Sequence, residues 1–134
     1  MRIIHTIALA AALAASLIGA APAAADVYVI SHPALELAAD EIRDVYVGEK
    51  QMAGSTRLVP MDNASLQKEF LEKAIKIDAT KYGAIWTKKG FRDGLNPPQL
   101  KTGDAEVISA VKSTPGAIGY VSSAPSGVKL VKKY

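Results

Sequence analysis

Arg57-Leu-Val-Pro-Met61 runs into Asp62-Asn63-Ala64-Ser65 and then into Leu66-Gln-Lys-Glu-Phe-Leu-Glu-Lys-Ala-Ile-Lys76. The first piece is short and apolar, and Pro60 confines it to a strand end or an edge strand. The last piece has helical spacing. Leu66, Phe70 and Ala74 form one stripe, and Leu71 and Ile75 widen it. Asp62-Asn63 supplies the cap for a helix over Ala64–Lys76. A strand feeding a helix through a short polar turn is the building unit of an α/β fold.

The same alternation extends outward in both directions. Downstream, Asp78 caps a helix from Ala79 to Lys89, where Tyr82, Ile85 and Trp86 share a face and Gly90 marks the stop. Phe91 to Thr102 is rich in Gly, Pro and Asn, and reads as a surface loop. Gly103-Asp104 opens a helix through Ser113, with Val107, Ile108 and Val111 turned inward. Thr114-Pro-Gly116 is a turn, and Ala117-Ile-Gly-Tyr-Val121 a buried strand. Val128 to Val131 is a last strand, at an edge, where Lys129, Lys132 and Lys133 are solvated. Upstream, Ala39 to Val47 places Ile42, Val45 and Tyr46 on one helical face before Gly48. Asp26-Val-Tyr-Val-Ile30 is a buried strand. The expected fold is α/β, with a central mixed, mostly parallel sheet flanked by helices.

The first residues have a different character. Arg2 and His5 precede an uncharged stretch, Thr6 to Ala21, and Ala23-Ala24-Ala25 follows. This is the order of a cleaved secretory signal, so residues 1–25 are expected to leave and 26–134 to form one periplasmic or secreted domain. There is no cysteine, which excludes disulfides, a thiolate nucleophile and cysteine-based zinc sites. Of the net charge of +3, Arg2 lies in the leader, so the domain holds +2. Such a balance does not predict a nucleic-acid binder. No nucleophile elbow, P-loop or clustered histidine motif occurs. His32 is the one histidine of the domain. No enzyme activity, metal or cofactor is expected.

Three segments together resemble the substrate-binding proteins of phosphate ABC transporters. They are Glu41-Ile-Arg-Asp-Val-Tyr-Val-Gly48, the strand-turn-helix Arg57 to Phe70, and Thr114-Pro-Gly-Ala-Ile-Gly-Tyr-Val121. The resemblance spans nearly all of residues 26–134 and implies a single lobe of the type 2 periplasmic-binding-protein fold. Family members close two such lobes around phosphate. The corresponding turn in those receptors carries an Arg ahead of Ser-Gly-Thr. Here only Ser65 matches, and Asp62 adds a negative charge.

The expected anion-binding residues are Asn63, Ala64 and Ser65 in the turn, with Ser31 and Tyr120 on the same rim. His32 and Ser122 lie near that rim in sequence terms. A helix end stabilises an anion by about 0.3–1 kcal/mol, and up to about 2. Micromolar binding needs about 8 kcal/mol. The expectation is therefore an exported solute-binding-type protein with weak affinity for phosphate or another oxyanion. The alternative is a periplasmic interaction or sensory module that has lost its ligand. A membrane permease, a periplasmic protein or a second copy in a homodimer are the partners these readings imply.

Overall fold

The computed structural model describes residues 25–134. The expected signal segment lies outside the described residues except for Ala25, whose carbonyl accepts a hydrogen bond from Lys73 Nζ at 2.7 Å. Strand β1 (Tyr28–Ser31) is followed by a 3₁₀ turn (Ala39–Glu41) and helix α1 (Ile42–Tyr46). A small hairpin, β2 (Met52–Ala53) and β3 (Thr56–Arg57), leads into β4 (Val59–Asn63). Helix α2 (Gln67–Phe70) continues as a wider π turn (Leu71–Ile75). Then come α3 (Ala79–Asp93), β5 (Gln99–Lys101), α4 (Asp104–Ser113), β6 (Ala117–Val121) and β7 (Lys129–Lys133).

The five main strands lie in the order β5-β4-β6-β1-β7. β4 pairs in parallel with β5 and with β6, while β1 pairs antiparallel with both β6 and β7. Four strands thus run one way and β1 alone is reversed. The sheet is mixed and mostly parallel in direction, as expected, and β7 is an edge strand.

Helices cover both faces, which is why every residue of β6 is buried. On one face Val29, Ile118 and Tyr120 meet α1, α2 and α3. Phe70 stacks on Tyr120 with ring centroids 3.9 Å apart, and Tyr46 meets Phe70 edge-on at 4.6 Å. On the other face Ile30, Met61, Ala117 and Val121 meet Val107 and Val111 of α4. Gly119 makes that second contact close. A Cβ there would lie 2.5 Å from Val107 Cγ1, so a side chain at this point of the strand would push α4 outward.

Several boundaries differ from the sequence reading. Asp62 and Asn63 do not cap a helix. They are the last residues of β4, and the helix begins at Gln67 after Leu66. The stripe Leu66, Phe70, Leu71 and Ile75 is buried as expected. α3 passes through Gly90 and ends at Asp93, with Gly94 as its left-handed cap. The stretch Phe91 to Thr102 is not one loop, since it holds the end of α3 and all of β5. Pro60 sits where its missing N–H matters least, one residue before β5 starts to pair with β4 at Met61. Asp78 does cap α3, accepting from the Lys81 N–H at 2.8 Å.

Candidate functional site

β4, β5 and β6 all end at one edge of the sheet. The α2–α3 connection carries the chain from β4 to β5, and α4 returns it across the opposite face to β6. In open α/β sheets the crevice outside the carboxyl ends, where connections diverge, is the usual ligand position. The corner Asn63–Leu66 stands at that place.

Its donors are already engaged. The Ala64 N–H donates to the Lys101 carbonyl at 2.8 Å, and the Leu66 N–H to the Asn63 carbonyl at 3.0 Å. The Ser65 N–H and hydroxyl both donate to Asn63 Oδ1, at 3.1 and 2.7 Å. Asn63 Nδ2 donates to Asp104 Oδ1 at 2.8 Å and to the Tyr120 carbonyl at 3.0 Å. The amide of Asn63 thus ties the ends of β4 and β6 to the start of α4 and has no hydrogen left to offer.

Asp104, the first residue of α4, completes this knot. Its Oδ2 accepts from the Ser122 N–H at 3.1 Å and also from the Ser122 hydroxyl. Partial burial pushes its carboxyl upward, but the Ser122 hydroxyl and amide, together with Asn63, hold it below the usual aspartate range. A carboxylate is therefore seated at the start of α4, where the helix dipole favours negative charge. A second anion entering within about 4 Å would meet a repulsion of roughly 1–4 kcal/mol. That matches or exceeds the 0.3–2 kcal/mol or so that a helix end returns.

Beneath the corner lies another carboxylate. Strand alternation turns Asp62 to the face opposite Asn63. Asp62 is 2 % exposed and accepts from the Tyr120 hydroxyl at 2.8 Å and the Tyr82 hydroxyl at 2.7 Å. Burial drives its carboxyl above the normal range, while hydrogen bonds from Tyr82, Tyr120 and Gln67 pull the other way. The same burial, reinforced by the negative charge of Asp62, pushes the Tyr82 and Tyr120 hydroxyls up. Both phenols stay protonated and remain donors. Tyr46 adds a further buried hydroxyl, donating to the Met61 carbonyl at 2.8 Å.

Of the five residues expected to line an anion rim, Asn63, Ala64 and Ser65 share the corner with the Tyr120 backbone carbonyl, and Ser31 stands apart. Ser31 is fully buried and its register places it beside Ile118, level with Pro60. It therefore stands two strands away from Asn63 and about 10 Å further along the sheet. The reversal of β1 causes this, because its end faces the amino ends of β4 and β6. His32 shares that position: its N–H donates to the Ala117 carbonyl at 3.0 Å, and Nδ1 accepts from the Ala34 N–H at 3.1 Å. Tyr120 points inward, and its hydroxyl is bound to Asp62 rather than facing the rim. Asn63 is buried, and only Ala64 and Ser65 are exposed.

Sequence reasoning did not assign Asp104 or Tyr82 to this edge. The signal for Asp104 was an acid at the first position of a helix that follows a strand. For Tyr82 it was a hydroxyl on an otherwise apolar stripe, which needs a buried acceptor. Among the described residues, no group of three or more His, Asp or Glu side chains converges as a metal site. No helix among them is long and apolar enough to cross a membrane. No protein-family model matches this chain, and no curated protein matches it.

Proposed function

We propose that this chain is an exported lobe of the solute-binding type, related to the phosphate receptors it resembles, that acts as an interaction or sensory module and does not capture phosphate on its own. One observation carries the reading. The side chains of Asn63 and Ser65 are hydrogen-bonded within the chain, and the Asp104 carboxylate is seated at the start of α4. The export signal at residues 1–25 and the three segments named above support the placement outside the cytoplasm and the kinship. The reading assigns no reaction and no cofactor to the chain. Its partner is a macromolecule, such as a permease, another periplasmic protein or a second copy.

Isothermal titration of the full chain with inorganic phosphate tests this directly. The expected result is no measurable heat up to roughly millimolar phosphate, the level at which binding provides only about 4 kcal/mol. A dissociation constant in the micromolar range would overturn the reading and restore the solute receptor.

A further inference from the structure

The opposite end of the sheet carries a groove of about 280 Å³, bounded by the start of β4, the hairpin, the end of α1 and the chain after α3. Its lining is stiffened where β4 and β5 begin to pair, because Pro60 and the consecutive Pro97 and Pro98 stand side by side there. Trp86 forms part of its lining. The indole N–H is not available to a ligand, since it donates to the Tyr46 carbonyl at 3.0 Å. The residue is 8 % exposed, and what reaches the groove is apolar surface only. Two cations line the groove, Lys50 and Arg57, and no aspartate or glutamate does. Lys50 is held by Glu41 at 2.9 Å. Arg57 is exposed and, among the described residues, has no carboxylate within ion-pair distance.

The geometry points to a binding site for a small organic carboxylate, an apolar ring or chain laid against Trp86 and the prolines with its anionic end on Arg57. A guanidinium without an ion-pair partner, in a groove of mixed lining that also carries Trp86 and three prolines, is the pairing such a ligand needs. Arg presents a planar fork that matches a carboxylate with two parallel hydrogen bonds. The volume lies just under the lower bound of about 300 Å³ usual for ligand clefts, which selects a small molecule. The site is separate from the corner at Asn63 and does not depend on how that corner behaves.

Trp86 is the only tryptophan of the chain, so emission arises from one residue, which packs in the core and lines this groove. The probe is cyclohexanecarboxylate, titrated into the full chain at constant ionic strength, with cyclohexanecarboxamide and inorganic phosphate as controls. The expected result is a saturable change in Trp86 emission with a midpoint on the order of 1–10 mM, appropriate to nine non-hydrogen atoms. The carboxamide should bind about tenfold more weakly, and Arg57→Gln should weaken the carboxylate by a similar factor, the loss of one charge-assisted hydrogen bond. Phosphate, lacking the apolar part, should leave the emission unchanged. Absence of saturation, an equal response to the carboxamide, or an unchanged midpoint in Arg57→Gln would each overturn the assignment.

Discussion

The two ends of the sheet treat charge in opposite ways. At the carboxyl end, Asp62 and Asp104 are both held by hydroxyls and amides of the chain itself, and the side-chain amide of Asn63 is fully engaged. At the amino end, Arg57 lines a groove of mixed polar and apolar surface and, among the described residues, has no carboxylate within ion-pair distance. The difference shows that the position where a parallel sheet usually receives its ligand can be closed by side chains, while an open recess forms where the strands begin. Closure rests on few residues, so single substitutions test it.

The largest effect is expected at Asp62. Asp62→Ala leaves the Tyr82 and Tyr120 hydroxyls buried without an acceptor. Denaturant unfolding should show a loss of about 2–5 kcal/mol, the penalty for two stranded donors. A loss under about 1 kcal/mol would mean that water reaches the tyrosines, and that the carboxyl end is open after all.

Next comes Gly119→Ala, which pushes on Val107 and so shifts the helix that carries Asp104. Overpacking of this kind costs about 1–3 kcal/mol. The Trp86 emission spectrum should stay as in the parent, because the groove lies on the other face. A shifted spectrum would show that the two ends are mechanically linked.

Asp104→Asn removes the charge and turns one acceptor into a donor that faces Asn63 Nδ2 or the Ser122 N–H, and thermal unfolding should report a loss of about 1–2 kcal/mol. Phosphate binding should rise in this variant, since the repulsion has gone. Unchanged phosphate binding would remove Asp104 as the cause of closure.

Smaller still is the pH dependence, in which the two aspartates act with opposite sign. The carboxyl of Asp104 is depressed in the fold. Its contribution is complete above the unfolded value of about 3.9, and is lost as pH falls through the folded value. The carboxyl of Asp62 is raised. Its contribution is complete below about 3.9, and is lost as pH climbs through the higher folded value. Asp62→Asn should therefore flatten the decline of melting temperature on the alkaline side of pH 4 or so, and Asp104→Asn the decline on the acid side. The smallest effect belongs to Arg57→Gln, an exposed site where stability should change by no more than about 0.5 kcal/mol. A larger loss there would mean that the guanidinium has a partner inside the protein.

Much of the architecture was legible in the sequence. Ile42, Val45 and Tyr46 before Gly48, Val107 and Val111 in the last helix, and the continuous apolar run Ala117–Val121 all carry their period on their face. The misreadings cluster where distant residues decide. Asp and Asn are poor strand formers and good caps, so Asp62-Asn63 looked like a helix start. They remain in β4 because Tyr82, Tyr120 and Asp104 supply partners from 20 to 58 positions away. Asn96-Pro-Pro98 hid β5, a three-residue strand that exists through its pairing with Met61–Asn63. Ser31 and Tyr120 looked like one rim only if every strand ran the same way, and the reversal of β1 is a property of the whole sheet. The corner at Asn63–Leu66 does follow a strand, as its sequence indicates, and the carboxylate that a different helix brings to it was not visible there.

That reversed strand also sets an order of events. β1 is the earliest strand among the described residues, yet its hydrogen-bonding neighbours are β6 and β7, drawn from Ala117 to Lys133. Val29 and Ile30 must wait for nearly the entire polypeptide before their backbone has a ladder to join. Pairing between such remote segments requires closure of a long loop first, which makes folding slow. A molecule wired in this manner cannot complete its sheet until the segment Ala117–Lys133 has been synthesised.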